Sequence, residues 1–475
     1  MTGRMDFGFS LGAPGAGGSA LVRREGPFRI VVLGDFSGHG LRGLVNPKPL
    51  GQRAPQPVDI DNLEAVMRRL APAVSLPLAQ AGAAPLALSF ASLDDFHPDQ
   101  LLTQWPEPVV QIAAQPAPAM APATQQPPPA AESDASALER LLGRRPEQPQ
   151  PPPVQAGLDA LIQRIVAPSL APGVDPSHLQ FKARRDEAQA AQLRAVLHHP
   201  AFQSLEAAWR GVQGLVRSLD LNEDLQLHLL DVSPSELRAD VDAAQGDVGQ
   251  MQLARVLAKP GDADEPPAWA LVIGLQAFGP ASADLSLLSA LGTLAQRVSG
   301  TFMASALPSV VGLASFGAAV DPADWPGMAA DEQARWDAFR RSPAAASVRL
   351  AAPRVLLRLP YGRSTDAIDA LDFEEMAPGL AHESCLWGSG ALACAQLVGQ
   401  SFMDQGWALR LGDRLDLEDL PACVLERDGE KHLLPCAEAH LSESAGERLL
   451  ALGLMPLLSH RQRNAVRVMG LQAMA

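Results

Sequence analysis

The sequence predicts an α/β protein: a small α/β lobe tethered to a larger α/β lobe whose mainly parallel or mixed sheet is covered by helices. Three observations lead there. After residue 157, short apolar runs alternate with longer stretches of helical periodicity, the pattern of a covered parallel sheet. A shorter strand and helix alternation lies within residues 27–112. Between them, residues 113–156 are dominated by Pro, Ala and Gln, a composition that buries too little apolar surface to offset the entropy of ordering. A length of 475 residues fits this division, because single cores stop growing well below that size.

Residues 1–26, rich in Gly and Ser, read as a flexible N-terminus without a continuous apolar signal segment. FRIVVLGDF (residues 28–36) is a short apolar run with β-branched residues bounded by Pro27 and Gly38, which suits a buried strand. VDIDNLEAVMRRLAP then predicts a helix capped by Asp59 or Asp61, with Leu63, Val66, Met67 and Leu70 on one stripe. In LALSFASLDDF, Leu86, Leu88 and Phe90 alternate with small or polar residues, the period of a half-exposed strand, and Pro98 opens another helix. Inside the linker, Ser133 or Ser136 caps a short amphipathic helix with Leu138, Leu141 and Leu142 on one face and Arg140, Arg144 and Arg145 beside it. A helix so short is marginal alone, so it must dock on something.

In the larger lobe, residues 157–475, two helices join at His199-Pro200, because the residue before proline is pushed from helical geometry. The second presents Phe202, Leu205, Trp209, Val212, Leu215 and Val216 as a broad apolar face, and Phe202, Leu205 and Trp209 are the expected core anchors. LQLHLLDV and WALVIG read as buried strands flanking a helix near residues 235–244, followed by the helix of DLSLLSALGTLAQRVSG. Next come VRLAAPRVLLRLPYG, a strand broken by Pro353 and Pro360, a helix in SGALACAQLVGQSFMDQG, and a helix-turn region from SESAGERLLALG.

A net charge of −15 opposes non-specific attraction to phosphate backbones and anionic lipid, so neither nucleic acid nor membrane is an expected partner. Aromatics are 5% with Tyr361 the single tyrosine, too few for a base-stacking platform. No stretch supplies the apolar run of about 20 residues needed to cross a bilayer, and the expected location is the cytoplasm. Arg448, Arg461, Arg463 and Arg467 give the C-terminal end a basic character suited to an acidic partner or simply to solvent. Cys385, Cys394, Cys423 and Cys436 form no C-x-x-C pair and read as buried free thiols.

No cofactor, metal or catalytic residue is expected. LGDFSGHG has neither phosphate-loop pattern, and Gly34, Gly38 and Gly40 read as turn residues. Asp94, Asp95, His97 and Asp99 sit where a helix needs caps, which outweighs a cation or His–carboxylate site. His198 and His199, adjacent in sequence, point to different sides and make an awkward ligand pair. No nucleophile elbow or metallopeptidase helix motif is present, leaving an enzyme with an unrecognised site as a remote alternative.

FRIVVLGDFSG, VDIDNLEAVMRRLAPAVSLPL and LALSFASLDDFHPDQLLTQWP, within residues 28–106, resemble the small subunit of type VI secretion contractile sheaths, TssB or VipA. LHHPAFQSLEAAWRGVQGLV, FRRSPAAASVRLAAPRVLLRLPYG, LDFEE, LWGSGALACAQLVGQSFMDQGW and LLALGLMPLLSHRQRNAVRVMGLQ resemble the large subunit, TssC or VipB, across residues 157–475. The resemblance implies a fused structural protein whose partners are sheath subunits or copies of itself, with baseplate or inner tube as further candidates. Fusion would raise the effective concentration of the two halves without adding a contact. Arg354, Arg358 and Tyr361 in PRVLLRLPYG are the family-type turn residues.

The family's large subunit continues beyond the block matching VMGLQ into further helices and strands, whereas this chain stops at Ala475, and the small half lacks the family's C-terminal helices. The expectation is either an ordinary fused protomer or an accessory, terminal subunit that propagates poorly, with a soluble assembly adaptor as the alternative. By position, the helix carrying Leu138, Arg140, Leu141, Leu142, Arg144 and Arg145 corresponds to the segment recognised by the AAA+ unfoldase ClpV.

Overall fold

The computed structural model describes residues 26–77, 84–105, 176–258, 268–318, 321–377, 379, 382–427, 430–461 and 463–475. The chain divides into two compact units, residues 1–106 together with 190–475, and residues 107–189.

The first apolar run forms β1 (Phe28–Gly34), and its alternation decides its place. Phe28, Ile30 and Val32 belong to one hydrophobic core, while Val31 and Leu33 belong to another. A strand buried on both faces belongs in the middle of a covered sheet. Three residues form β2 (Gln56–Val58), and α1 (Leu63–Leu70) buries Leu63, Val66 and Met67 as its stripe requires. Its N-cap is Asn62, with no side-chain cap bond; Asp59 instead accepts from the backbone N–H of Asp61 and Asn62 and shapes the preceding turn. An antiparallel pair, β3 (Ala73–Leu76) and β4 (Leu86–Ser89), leads to α2 (Pro98–Gln104), whose N-cap is His97.

Helix α3 (Pro176–Leu197) begins in the second unit, and from Ala190 onward its Leu193 and Leu197 are fully buried in the larger one. Then α4 (Pro200–Ser218), β5 (Leu225–Asp231), α5 (Pro234–Ala244), α6 (Gln252–Ala258), β6 (Trp269–Phe278), α7 (Ser282–Arg297), β7 (Thr301–Ala306), α8 (Ala330–Arg340) and β8 (Val348–Ala352) follow one another. The alternation resumes after a small pair, β9 (Val355–Leu356) and β10 (Trp387–Gly388), with α9 (Gly390–Gln405) and β11 (Asp416–Leu417). A hairpin, β12 (Val424–Arg427) and β13 (Glu430–Leu433), precedes α10 (Glu443–Ala451), β14 (Leu454–Ser459) and β15 (Val466–Val468). No helix among the described residues is long and apolar enough to cross a membrane.

Nine strands form one sheet in the order β11-β15-β14-β8-β7-β6-β1-β5-β2. From β14 to β5 all pairings are parallel, and the flanking ones are antiparallel, so the sheet is mixed with a parallel centre. Helices α3, α4 and α9 line the core on one face with α1 and α2, while α5 to α8 and α10 line the core on the other. Both sheet edges are short, and Pro57 in β2 further blunts its edge for pairing. The first strand of the small α/β segment is thus the middle of the large segment's sheet: Ile30 sits between Leu227 of β5 and Leu271 of β6.

Candidate functional site

The seam where residues 26–105 meet residues 190–475 carries most of the buried charge that joins the two segments. β1 and β5 run parallel with Gly34 opposite Asp231, so Asp35-Phe36-Ser37 and Asp231-Val232-Ser233 leave the sheet side by side. Ser37 donates its backbone N–H to Asp231 Oδ1 at 3.0 Å and its hydroxyl to Oδ2 at 2.8 Å. Gly38 then turns the chain at φ 69°, a left-handed position where a Cβ would collide with the carbonyl of Ala73. That turn sets His39 beside Asp231 and Glu236.

His39 Nδ1 lies 2.8 Å from Ser37 Oγ, 3.0 Å from Asp35 Oδ1 and 3.5 Å from Asp231 Oδ2, while Nε2 lies 2.7 Å from Glu236 Oε2. Glu236 is also the capping-box residue of α5, accepting from the Ser233 N–H, and pairs with Arg53. Arg53 Nη1 reaches the Asp231 carbonyl at 2.7 Å, and Asn46 donates to Asp231 Oδ2 at 3.1 Å. Burial alone would discharge His39, but hydrogen bonds to Asp231, Asp35 and Glu236 outweigh it and raise the imidazole to about 11. Burial likewise opposes the Glu236 carboxylate, and its bonds to His39 and Arg53 more than compensate, holding it well below the usual range.

Among the described residues, Asp35, His39 and Asp231 are the one group whose ligand atoms converge closely enough for a metal. A protonated imidazole has no lone pair to give, so the geometry is that of a cation already in place: His39 bridges carboxylates from both segments. The pH dependence follows from the raised value. The contribution of His39 is complete below its unfolded value near 6.5 and is lost progressively as pH rises toward about 11. The stability of the native chain is therefore expected to fall between pH 7 and pH 10 more steeply than that of His39→Gln, measured by urea unfolding across that range; parallel curves would contradict the assignment.

A second charged cluster lies within the large segment, around Arg358. Arg358 donates to Glu206 of α4 at 2.8 Å and to Glu375 at 2.8 Å, its guanidinium 4.3 Å over the Tyr361 ring. Glu375 accepts the Tyr361 N–H at 2.8 Å, and Arg210 bonds both Glu206 and the Tyr361 hydroxyl. Burial disfavours charge on Arg358 and Glu375, yet their mutual attraction and that of Glu206 prevails: Arg358 is driven up and Glu375 down. Arg354 pairs with Glu438 at 2.8 Å instead.

Aromatic contacts complete the seam. Phe90 and Phe96 stack at 4.1 Å, and Phe202 meets both edge-on. Trp209 packs edge-on against Phe36 and donates its indole N–H to the Phe36 carbonyl at 2.9 Å. Phe28 contacts Phe402 and Trp407. Asp99, in the first turn of α2 rather than at its cap, accepts the N–H groups of Asp369 and Ala370, so the small segment also ties down a loop of the large one.

Phe202, Leu205 and Trp209 are fully buried in the core that contains β1. Leu138, Arg140, Leu141, Leu142, Arg144 and Arg145 lie outside the described residues. Asp95 caps the turn at residues 93–96, and His97 and His199 accept from the second residue of their helices, at Asp99 and Ala201. His198 lies 3.6 Å from Glu375. The four cysteines are buried and free. Gly38 is the turn residue expected of it, but the reading of LGDFSGHG missed Asp35, Ser37 and His39 as a joint. The signal available was the repeated Asp-x-Ser at the ends of two apolar runs.

The chain matches the VipB family, described as EvpB/VC_A0108, tail sheath N-terminal domain, over residues 181–475. It also matches a second family, described as type VI secretion system, VipA, VC_A0107 or Hcp2, over residues 16–111. Among curated proteins it is similar to the type VI secretion system sheath protein TssC1 of Pseudomonas aeruginosa, 28% identical over 300 residues. That alignment covers 62% of this chain and 60% of the relative's length. With the sheet and its seam, these matches establish that the chain belongs to the VipB tail sheath family and carries a VipA region whose first strand lies inside the VipB sheet.

Proposed function

We propose that this chain is a structural component of a type VI secretion contractile sheath, a covalently joined small-plus-large unit that acts by assembly rather than catalysis. The observation that carries the reading is β1, a VipA-region strand hydrogen-bonded on both sides by VipB-region strands. A strand shared this way makes the two regions one building block, as a polymer of paired subunits requires. Its partners are other sheath subunits or copies of itself, with the baseplate or inner tube at its ends, and it works in the cytoplasm.

Electron microscopy of sheaths assembled with a tagged copy of the chain tests the proposal. Label along the whole length identifies an ordinary protomer and label at one end a terminal subunit; either supports a sheath role. Absence from the particle would make the chain an assembly adaptor and overturn it.

The segment bearing Leu138, Leu141 and Leu142 with Arg140, Arg144 and Arg145 is the proposed contact for the AAA+ unfoldase ClpV. A peptide of residues 133–146 is expected to bind the unfoldase's N-terminal domain, with affinity falling at least tenfold when the three leucines become alanine. Fluorescence anisotropy reads this, and an unbound native peptide removes the contact.

A further inference from the structure

Large apolar side chains exposed to solvent are few among the described residues, and five of the seven gather in two places. Leu41, Leu44 and Val45 lie in the loop that follows β1, with Val45 90% exposed. Ile60, 70% exposed, and Met403 line a hollow of about 370 Å³ together with Leu219 and Leu221. Apolar groups gathered in water this way mark a surface that another molecule covers.

Strand polarity puts the two places at opposite ends of the same strands. β1 and β5 run parallel and finish together at Gly34 and Asp231. Asn46 of the loop donates to Asp231 Oδ2 at 3.1 Å, so the loop sits over the carboxyl ends. The hollow lies at the amino ends: Leu219 and Leu221 precede β5, and Ile60 follows β2, whose Val58 pairs with Leu227 on an antiparallel course toward Leu225. Met403 belongs to the same end, its sulfur accepting the Asp220 N–H at 3.4 Å. The loop is also held in shape. Leu44 donates its N–H to the His39 carbonyl at 2.8 Å, Arg42 donates to the carbonyls of Ser37 and Gly38, and Gly43 turns the chain at φ 66°. A projection already ordered loses little entropy on docking.

Charge decides what docks. Arg42 and the exposed Lys48 on the loop pair with no carboxylate among the described residues. Around the hollow, Asp61 next to Ile60 and the turn bearing Asp220, Glu223 and Asp224 bring four exposed carboxylates that pair with no cation among the described residues. Arg217 is the lone cation among the lining residues of the hollow. In a chain of net charge −15, two copies repel unless a basic surface of one meets an acidic surface of the other.

We propose that the loop of residues 41–45 in one copy of this chain inserts into the Ile60–Met403 hollow of the next, with Arg42 and Lys48 facing the acidic turn. The two surfaces differ and lie at opposite ends of the sheet, so the contact is head-to-tail and extends into an open helical array rather than closing as a two-fold dimer. This rests on the reading of the chain as a sheath building block and names the surface through which copies meet.

Cysteine cross-linking of the full chain tests it, because the four native thiols are buried. Val45→Cys and Ile60→Cys are placed in one chain at about 0.1 mM, where a micromolar contact is saturated, and treated with a short bis-maleimide. A ladder of dimers, trimers and longer oligomers is expected. Within one chain the two thiols are separated by roughly the length of a seven-residue strand, ~23 Å, beyond the reach of the reagent. An equal mixture of the two single variants should stop at dimers, and either single variant alone should give none. Raising salt from about 50 mM to about 500 mM should cut the ladder at least threefold, as should Lys48→Glu, with the melting temperature of that variant unchanged. Absence of the ladder, or dimers from Val45→Cys alone as abundant as from the mixture, overturns the proposal. A tagged chain found in sheaths while the ladder is absent sinks this contact and leaves the sheath reading standing; a ladder from a chain absent from sheaths does the reverse.

Discussion

Arg358→Met is expected to destabilise the chain by about 3–5 kcal/mol, because it leaves two buried carboxylates facing each other without their shared cation. Glu206 is wholly buried and Glu375 is 1% exposed, so solvent cannot take over the role of the guanidinium. Arg210 remains beside Glu206, but Glu375 keeps only the Tyr361 N–H and a distant His198. Equilibrium urea unfolding checks the value. Replacing Arg358, Glu206 and Glu375 together with apolar residues of similar volume should cost less than the single change, since no fully buried charge is then stranded and Arg210, which loses Glu206, is partly exposed and keeps the Tyr361 hydroxyl. A single-variant loss below about 1 kcal/mol would mean that the cluster is open to water.

Trp209→Ala is expected to cost about 3–5 kcal/mol, near the upper end. The indole is fully buried among Phe36, the α4 face and the surrounding core, so truncation opens a cavity that rigid neighbours cannot refill. It also strands the Phe36 carbonyl, whose indole donor disappears. The loss should be shared across the seam: amides of β1 and those of β5 should lose hydrogen-exchange protection together. Trp209→Phe, which keeps the ring and drops the N–H, should fall between the native chain and the alanine variant.

Individual elements were legible because each buries a face that local periodicity reveals. The helix over residues 200–218 and the run Phe28–Phe36 are examples, where period 3.6 and an unbroken apolar string announce a one-faced helix and a two-faced strand. What periodicity cannot announce is pairing partners. A fully buried strand is compatible with any central position, so the insertion of β1 between β5 and β6, about 200 residues later in sequence, has no local signature. The His39 joint was invisible for the same reason: its carboxylates are drawn from Asp35, Asp231 and Glu236, two of them brought near only by strand pairing. The family resemblance supplied the assembly role and named Arg358 and Tyr361, but not that they reach across to Glu206 and Arg210 of α4.

Cutting the covalent tether tests the shared sheet most directly. With a specific protease site placed within residues 113–156, native mass spectrometry after cleavage should record the two fragments as a persistent one-to-one complex, released only by denaturant. Fragments that drift apart under native conditions, each still folded, would contradict a strand held in common.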